Sequence, residues 1–116
     1  MVRRKKGRLI HGILIIDKPS GMTSSRVVQR LKHLTKAQKV GHTGALDPMA
    51  TGVLPVVFGE ATKFSQYGLG ADKTYVARVQ LGIATTTLDA DGEVTEKKSV
   101  PCLTESLVLS ALFSLT

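Results

Sequence analysis

Between Lys39 and Gly59 the chain carries four glycines, Gly41, Gly44, Gly52 and Gly59, and two prolines, Pro48 and Pro55. Glycine weakens a helix and proline breaks one, so this density demands a structured loop in the middle of the chain. Regular elements must flank it. Apolar Val53 to Phe58 begins a buried strand as the loop ends.

Upstream, Leu9 to Ile16 reads as a strand, rich in Ile and Leu, that runs into the turn Lys18-Pro19-Ser20-Gly21. Thr23, Ser24 or Ser25 can cap the helix that follows. Val27, Val28, Leu31 and Leu34 recur at helical spacing and predict its buried stripe. Arg26, Arg30, His33 and Lys36 fall on another face, with no acid to neutralise them. Downstream, Glu60 to Tyr67 reads as a short helix ended by Gly68 or Gly70. Lys73 to Gly82 alternates, with Tyr75, Ala77, Val79 and Leu81 on one face, and predicts a half-buried strand. Thr85 to Gly92 is a polar loop closing on the turn Asp91-Gly92. Glu93 to Val100 reads as a short strand. Thr104 or Ser106 starts an apolar helix containing Leu107, Val108, Leu112 and Phe113. The sequence stops inside that pattern without a C-cap, as a truncated chain would.

A chain of 116 residues with 42% hydrophobic residues can build one small domain or a piece of a larger one. Its longest apolar run, Ile10 to Ile16, contains His11 and Gly12 and stops at Asp17, far short of the roughly 20 residues that span a bilayer. The basic start before it resembles a signal peptide but lacks a small-residue cleavage site. Cys102 is the single cysteine and cannot form an internal disulfide. A soluble, cytoplasmic protein without membrane contact is expected.

Charge is unevenly spread. The net charge is +7. Residues 1–46 hold eleven bases and one acid, giving +10, and residues 47–116 hold five bases and eight acids, giving −3. Such asymmetry points to a polyanion near the N-terminal half, although a solvated tail explains Arg3 to Arg8 equally well.

Several chemistries drop out. His11, His33 and His42 have no ligand spacing, so no metal is expected. Asp89-Ala90-Asp91-Gly92-Glu93 lacks the later ligands of a calcium loop. There is no phosphate-cradling glycine motif and no nucleophile elbow. What remains is Gly41 to Gly52. Pro48 keeps Asp47 out of the helical region, and the glycines let a bulky ligand approach the backbone. Thr43, Thr51 and free backbone N–H groups could hold a carboxylate or a substrate. Such a loop can aim one carboxylate at a substrate. Equally, Asp47 can be an ordinary Asx-turn residue.

The stretch GHTGALDPMATGVLPV, residues 41–56, resembles the catalytic motif of the TruB family of pseudouridine synthases. Asp17 to Ser24, Lys73-Thr74-Tyr75, and Leu81-Gly82 followed by Thr86 and Asp89 to Gly92 resemble further family segments in order and spacing. The Ala45, Met49 and Val53-Leu54 forms resemble the bacterial stand-alone enzymes. The resemblance implies a mixed α/β (α+β) fold built around an antiparallel sheet with flanking helices. Residues 1–7 would be a flexible basic tail, and residues 8–116 the N-terminal portion of the catalytic domain. It implies isomerisation of a uridine in the T-loop of tRNA to pseudouridine, without cofactor or metal, by a protein that is monomeric at full length. By match, Asp47 would be the catalytic carboxylate, Tyr75 would pack on the target base, and His42 would contact the flipped-nucleotide region. Lys18, Gly44 and Leu46 would complete the substrate site. Arg26, Arg30, Lys36 and Lys39 would meet RNA phosphates. Attack on the sugar, attack on the base and abstraction of a ribose proton all stay open as the first act of Asp47. The family's later arginine motif and C-terminal RNA-binding domain are absent, so this piece alone is expected to be weakly active or inactive, with an open sheet edge and exposed apolar surface. The rival readings are a non-catalytic RNA-binding module and a guide-RNA-dependent relative.

Overall fold

The computed structural model describes residues 6–116. Of the expected tail, residues 1–5 lie outside the described residues. Arg8 is already anchored: its N–H donates to the Lys36 carbonyl at 2.7 Å, and its own carbonyl accepts from Gln38 at 2.9 Å.

Two units follow one another, residues 1–74 and 75–116. In the first, β1 (Gly12–Lys18), β2 (Val40–His42) and β3 (Gly52–Phe58) make an antiparallel sheet in the order β1-β3-β2. The helix α1 (Ser24–Thr35) joins β1 to β2, and a 3₁₀ turn (Gly59–Phe64) leads into α2 (Ser65–Leu69). β1 begins later than the apolar run suggests and ends later too, because its extent is set by its partner. All seven residues pair with β3, from Gly12 opposite Phe58 to Lys18 opposite Gly52. The short strand β2 was not expected inside a glycine-rich segment.

Pro55 decides where β2 ends. Residues 40–42 pair with Phe58 to Val56. One step further, the Thr43 N–H still donates to the Pro55 carbonyl at 3.1 Å. Proline has no N–H to return, so the ladder stops and the chain leaves the sheet as the loop 43–51.

One face of the sheet carries the core. Leu54, Val56 and Phe58 pack with Val27, Val28 and Ala37, and Ile16, Leu31 and Val40 border them. The helix forms where expected, with Thr23 as N-cap accepting from the Arg26 N–H at 3.1 Å. Leu34 departs from its expected place and is 66% exposed. At about 100° per residue it falls on the edge of the stripe, beside Arg30. On the other face of the sheet, Ile13, Ile15 and Val53 are exposed.

In the second unit, β4 (Ile83–Thr85) pairs antiparallel with β5 (Val94–Lys97), and α3 (Glu105–Phe113) follows, capped by the Thr104 hydroxyl. The loop between the strands is organised by Asp89, whose carboxylate accepts from the Thr87 hydroxyl and the Asp91 N–H. Those two bonds, Thr87 first, hold its carboxyl below the usual range. The strand expected over Lys73–Gly82 does not form. Among the described residues nothing pairs with residues 72–80, and pairing starts only at Ile83. An alternating segment becomes a strand only when a neighbouring strand and an apolar surface receive it. Here no residue of 75–116 is buried, and Val76 and Val79 stand in solvent.

Candidate active-site loop

Asp47 sits in a four-residue turn. Its carbonyl accepts from the Ala50 N–H at 2.9 Å, with Pro48 in the position where a fixed φ favours turning. The turn is closed by backbone alone. Asp47 is exposed, and among the described residues its carboxylate has no hydrogen-bond or ion-pair partner. The Asx-turn alternative is therefore not what forms, and the carboxylate is left free.

Its backbone, by contrast, is held on both sides by the segment between β1 and α1. The Ser24 hydroxyl accepts from the Leu46 N–H at 2.9 Å and donates to the Leu46 carbonyl at 3.1 Å. The Gly21 N–H donates to the Pro48 carbonyl at 2.7 Å. The Ser20 hydroxyl donates to the Met49 carbonyl at 3.0 Å. Leu46 before Asp47, and Pro48 and Met49 after it, are thus tied to residues 20–24.

Lys18 completes this frame from beneath. It is fully buried, and its Nζ donates to the carbonyls of Met22 at 2.7 Å, Pro19 at 2.8 Å and Pro48 at 3.2 Å. A buried ammonium is tolerable only when its donors are satisfied, and three carbonyls do so here. Lys18 was expected in the substrate site. In this geometry its donors are spent on the protein, and it locks the turn after β1 onto the Asp47 loop.

The start of the loop is shaped by close packing. Gly44 has φ +111°, a left-handed conformation that disfavours any side chain. Thr43 is buried against α2, where a Cβ on Gly68 would lie 2.5 Å from its Oγ1. Lys73 caps that helix, donating to the carbonyls of Leu69 and Ala71 at 2.9 Å. His42 Nδ1 and Thr43 Oγ1 are buried without a hydrogen-bond partner among the described residues.

Of the expected site residues, Lys18, His42, Gly44, Leu46 and Asp47 lie in or against this loop. Tyr75 belongs to the second unit, where its ring is exposed. Arg26 and Arg30 line an open groove along α1. Lys36 lies off that face: it is the left-handed C-cap residue of α1 and lines an adjoining groove. Lys39 is exposed just before β2. Sequence reading missed Ser20 and the double bond of Ser24, because Ser24 competes with Thr23 and Ser25 as a cap and only the fold shows which serine faces the loop. Among the described residues no cluster of side chains could hold a metal ion, and no helix is long and apolar enough to cross a membrane.

The family described as "TruB family pseudouridylate synthase (N terminal domain)" matches residues 32–116. The chain belongs to the TruB family. It is 54% identical over 107 residues to a tRNA pseudouridine synthase B of Colwellia psychrerythraea, covering 92% of this chain and 34% of the relative. It is 59% identical over 98 residues to that of Idiomarina loihiensis, covering 84% and 32%. With that of Chromohalobacter salexigens it shares 56% over 112 residues, 97% of this chain and 36% of the relative. The chain spans about a third of the length of these relatives. Among solved structures, it is similar to a chain of "Structure of H/ACA RNP bound to a substrate RNA containing 2'-deoxyuridine", with a TM-score of 0.47 and 45% identity over 48% of this chain and 18% of that one.

Proposed function

We propose that this chain carries the catalytic carboxylate of a tRNA pseudouridine synthase, and that the protein to which it belongs isomerises a uridine in the T-loop of tRNA. The carrying observation is the unspent Asp47 carboxylate on a backbone fixed at Leu46, Pro48 and Met49. A group meant to meet a substrate must be held still without being used up by its own protein. The names of the relatives support the reaction class.

In the reaction, the bond between the ribose C1′ and the base N1 breaks, the base turns, and C1′ joins C5, which gives up its proton to solvent while N1 takes one up. The base must leave its stack first. Asp47 opens the sequence, by attack on the sugar or the base or by taking a ribose proton. Tyr75 offers a platform for the flipped base, and His42, Gly44 and Leu46 border the space beside Asp47. Lys18 acts as a positioning residue for the loop. The protein works as a cytoplasmic monomer on the T-arm, with no cofactor or metal.

The test is tritium release from a T-arm RNA labelled at C5 of uridine, using the full-length protein that contains this segment. Release that disappears with Asp47→Asn, while RNA binding persists, is the expected result. Binding without release in the unaltered protein would overturn the reading in favour of an RNA-binding module.

A further inference from the structure

The segment Lys73-Thr74-Tyr75 stands out in the sequence as one motif, yet only Tyr75 has been given a part. Lys73 is exposed, and among the described residues no carboxylate pairs with it. A lysine so placed ordinarily keeps its head in water. Here the ammonium turns back onto the first unit. Nζ donates to the carbonyls of Leu69 and Ala71, each at 2.9 Å, and reaches that of Gly68 at 3.4 Å.

Capping of the last carbonyls of α2 explains those bonds. It does not explain where the stem lies. Lys73 Cε is 3.9 Å from the position a Cβ on Gly44 would take, so the stem runs beside the left-handed turn that Gly44 makes at φ +111°. The turn of α2 that Lys73 holds also carries Gly68, and Gly68 is seated on Thr43. A Cβ there would meet Thr43 Oγ1 at 2.5 Å and its Cβ at 2.6 Å. Thr43 is 6% exposed. Lys73 therefore bears on the start of the Asp47 loop twice, through α2 and through its own stem.

That end of the loop has little else to hold it. Leu46, Pro48 and Met49 are hydrogen-bonded to residues 20–24. At the start, the Thr43 N–H donates to the Pro55 carbonyl at 3.1 Å. Beyond it, among the described residues, no hydrogen bond holds the backbone of Gly44 or Ala45. Gly44 has no side chain to restrict it, so the loop can swing there unless packing prevents it.

We infer that Lys73 is a positioning residue for the Asp47 loop. Its ammonium fixes the end of α2, Gly68 presses on Thr43, and the stem blocks Gly44 from turning. Lys18 and Ser24 hold the far end of the loop, and Lys73 holds the near end. Its effect on rate rests on the reading of Asp47 as the catalytic carboxylate.

The experiment uses the full-length protein with Lys73→Met, which keeps the stem and removes the donors, and Lys73→Arg, which keeps donors. Amide exchange at Thr43, tritium release at saturating T-arm RNA, and RNA affinity are measured. Lys73→Met should speed exchange at Thr43 about tenfold and slow release about tenfold, the scale of a lost charged hydrogen bond. RNA affinity and exchange at the paired amides of β3 should stay as they were. Lys73→Arg should restore release and exchange to within about twofold, because its guanidinium can donate to the same carbonyls. Unchanged exchange at Thr43 in Lys73→Met overturns the clamp. Weaker RNA binding with full release at saturation also overturns it, because the ammonium then serves as a cation facing phosphate. Exchange that speeds equally at Thr43 and throughout β3 overturns it too, since the loss is then one of overall stability. Faster exchange confined to the loop, in a protein that releases no tritium even when unaltered, keeps the clamp and removes the synthase reading instead.

Discussion

Ser24 shows how one small side chain can fix the backbone beside a candidate carboxylate. Its hydroxyl serves both backbone groups of Leu46, and it is 4% exposed. Ser24→Ala leaves a part-buried N–H and carbonyl unmatched, at a cost of about 1–3 kcal/mol. Thermal unfolding should report that loss, and tritium release should fall further than stability does, because the turn carrying Asp47 loosens. Lys18→Met strands three carbonyls and should cost at least as much, while Lys63→Met, at an exposed ion pair, should cost little. At this scale, the sequence singled out Asp47 as a candidate through its motif, and Pro48 through its effect on the residue before it. Lys18 was legible only as a basic residue next to a turn. A sequence pattern records that a lysine is present, not whether its ammonium points to solvent or into the protein.

Among the elements, α1 was readable because cap, stripe and polar face all agree over twelve residues. The limits of β1 and the existence of β2 were not, because a strand's limits belong to its partner. β1 runs as far as β3 can pair with it, and β2 lasts until Pro55 withholds an N–H. The latter makes a prediction. Pro55→Ala restores the missing donor opposite Thr43 and lets β2 lengthen by one pair. The new amide at residue 55 should be protected like the paired amides of β3, and tritium release should drop as the loop is drawn toward the sheet. An unprotected amide at position 55 would show that something other than the proline ends the ladder. The failed strand over Lys73–Gly82 follows the same rule in reverse: the alternation is present in the sequence, but no neighbour receives it.

At the scale of the whole chain, burial among the described residues is confined to the first unit. The buried residues described lie between Lys18 and Phe58, whereas the second unit leaves Val76, Val79, Leu88 and the apolar side chains of α3 exposed. Backbone without packing or pairing opens first. Trypsin should therefore cut the 116-residue chain at Arg78 before it cuts at Arg26 or Arg30 in α1, leaving aside cuts within the first eight residues. Early cleavage inside α1 would contradict the division of stability drawn here. The anchors of the Asp47 turn add a consequence in time. Residues 18, 20, 21 and 24 all precede the turn they hold, by separations of 22 to 30 residues for their side-chain bonds. A chain made from its N-terminus therefore has every anchor waiting when Asp47 emerges, and the sheet beneath is complete once Phe58 has followed. The candidate carboxylate can be set in place during synthesis, before any residue of the second unit exists.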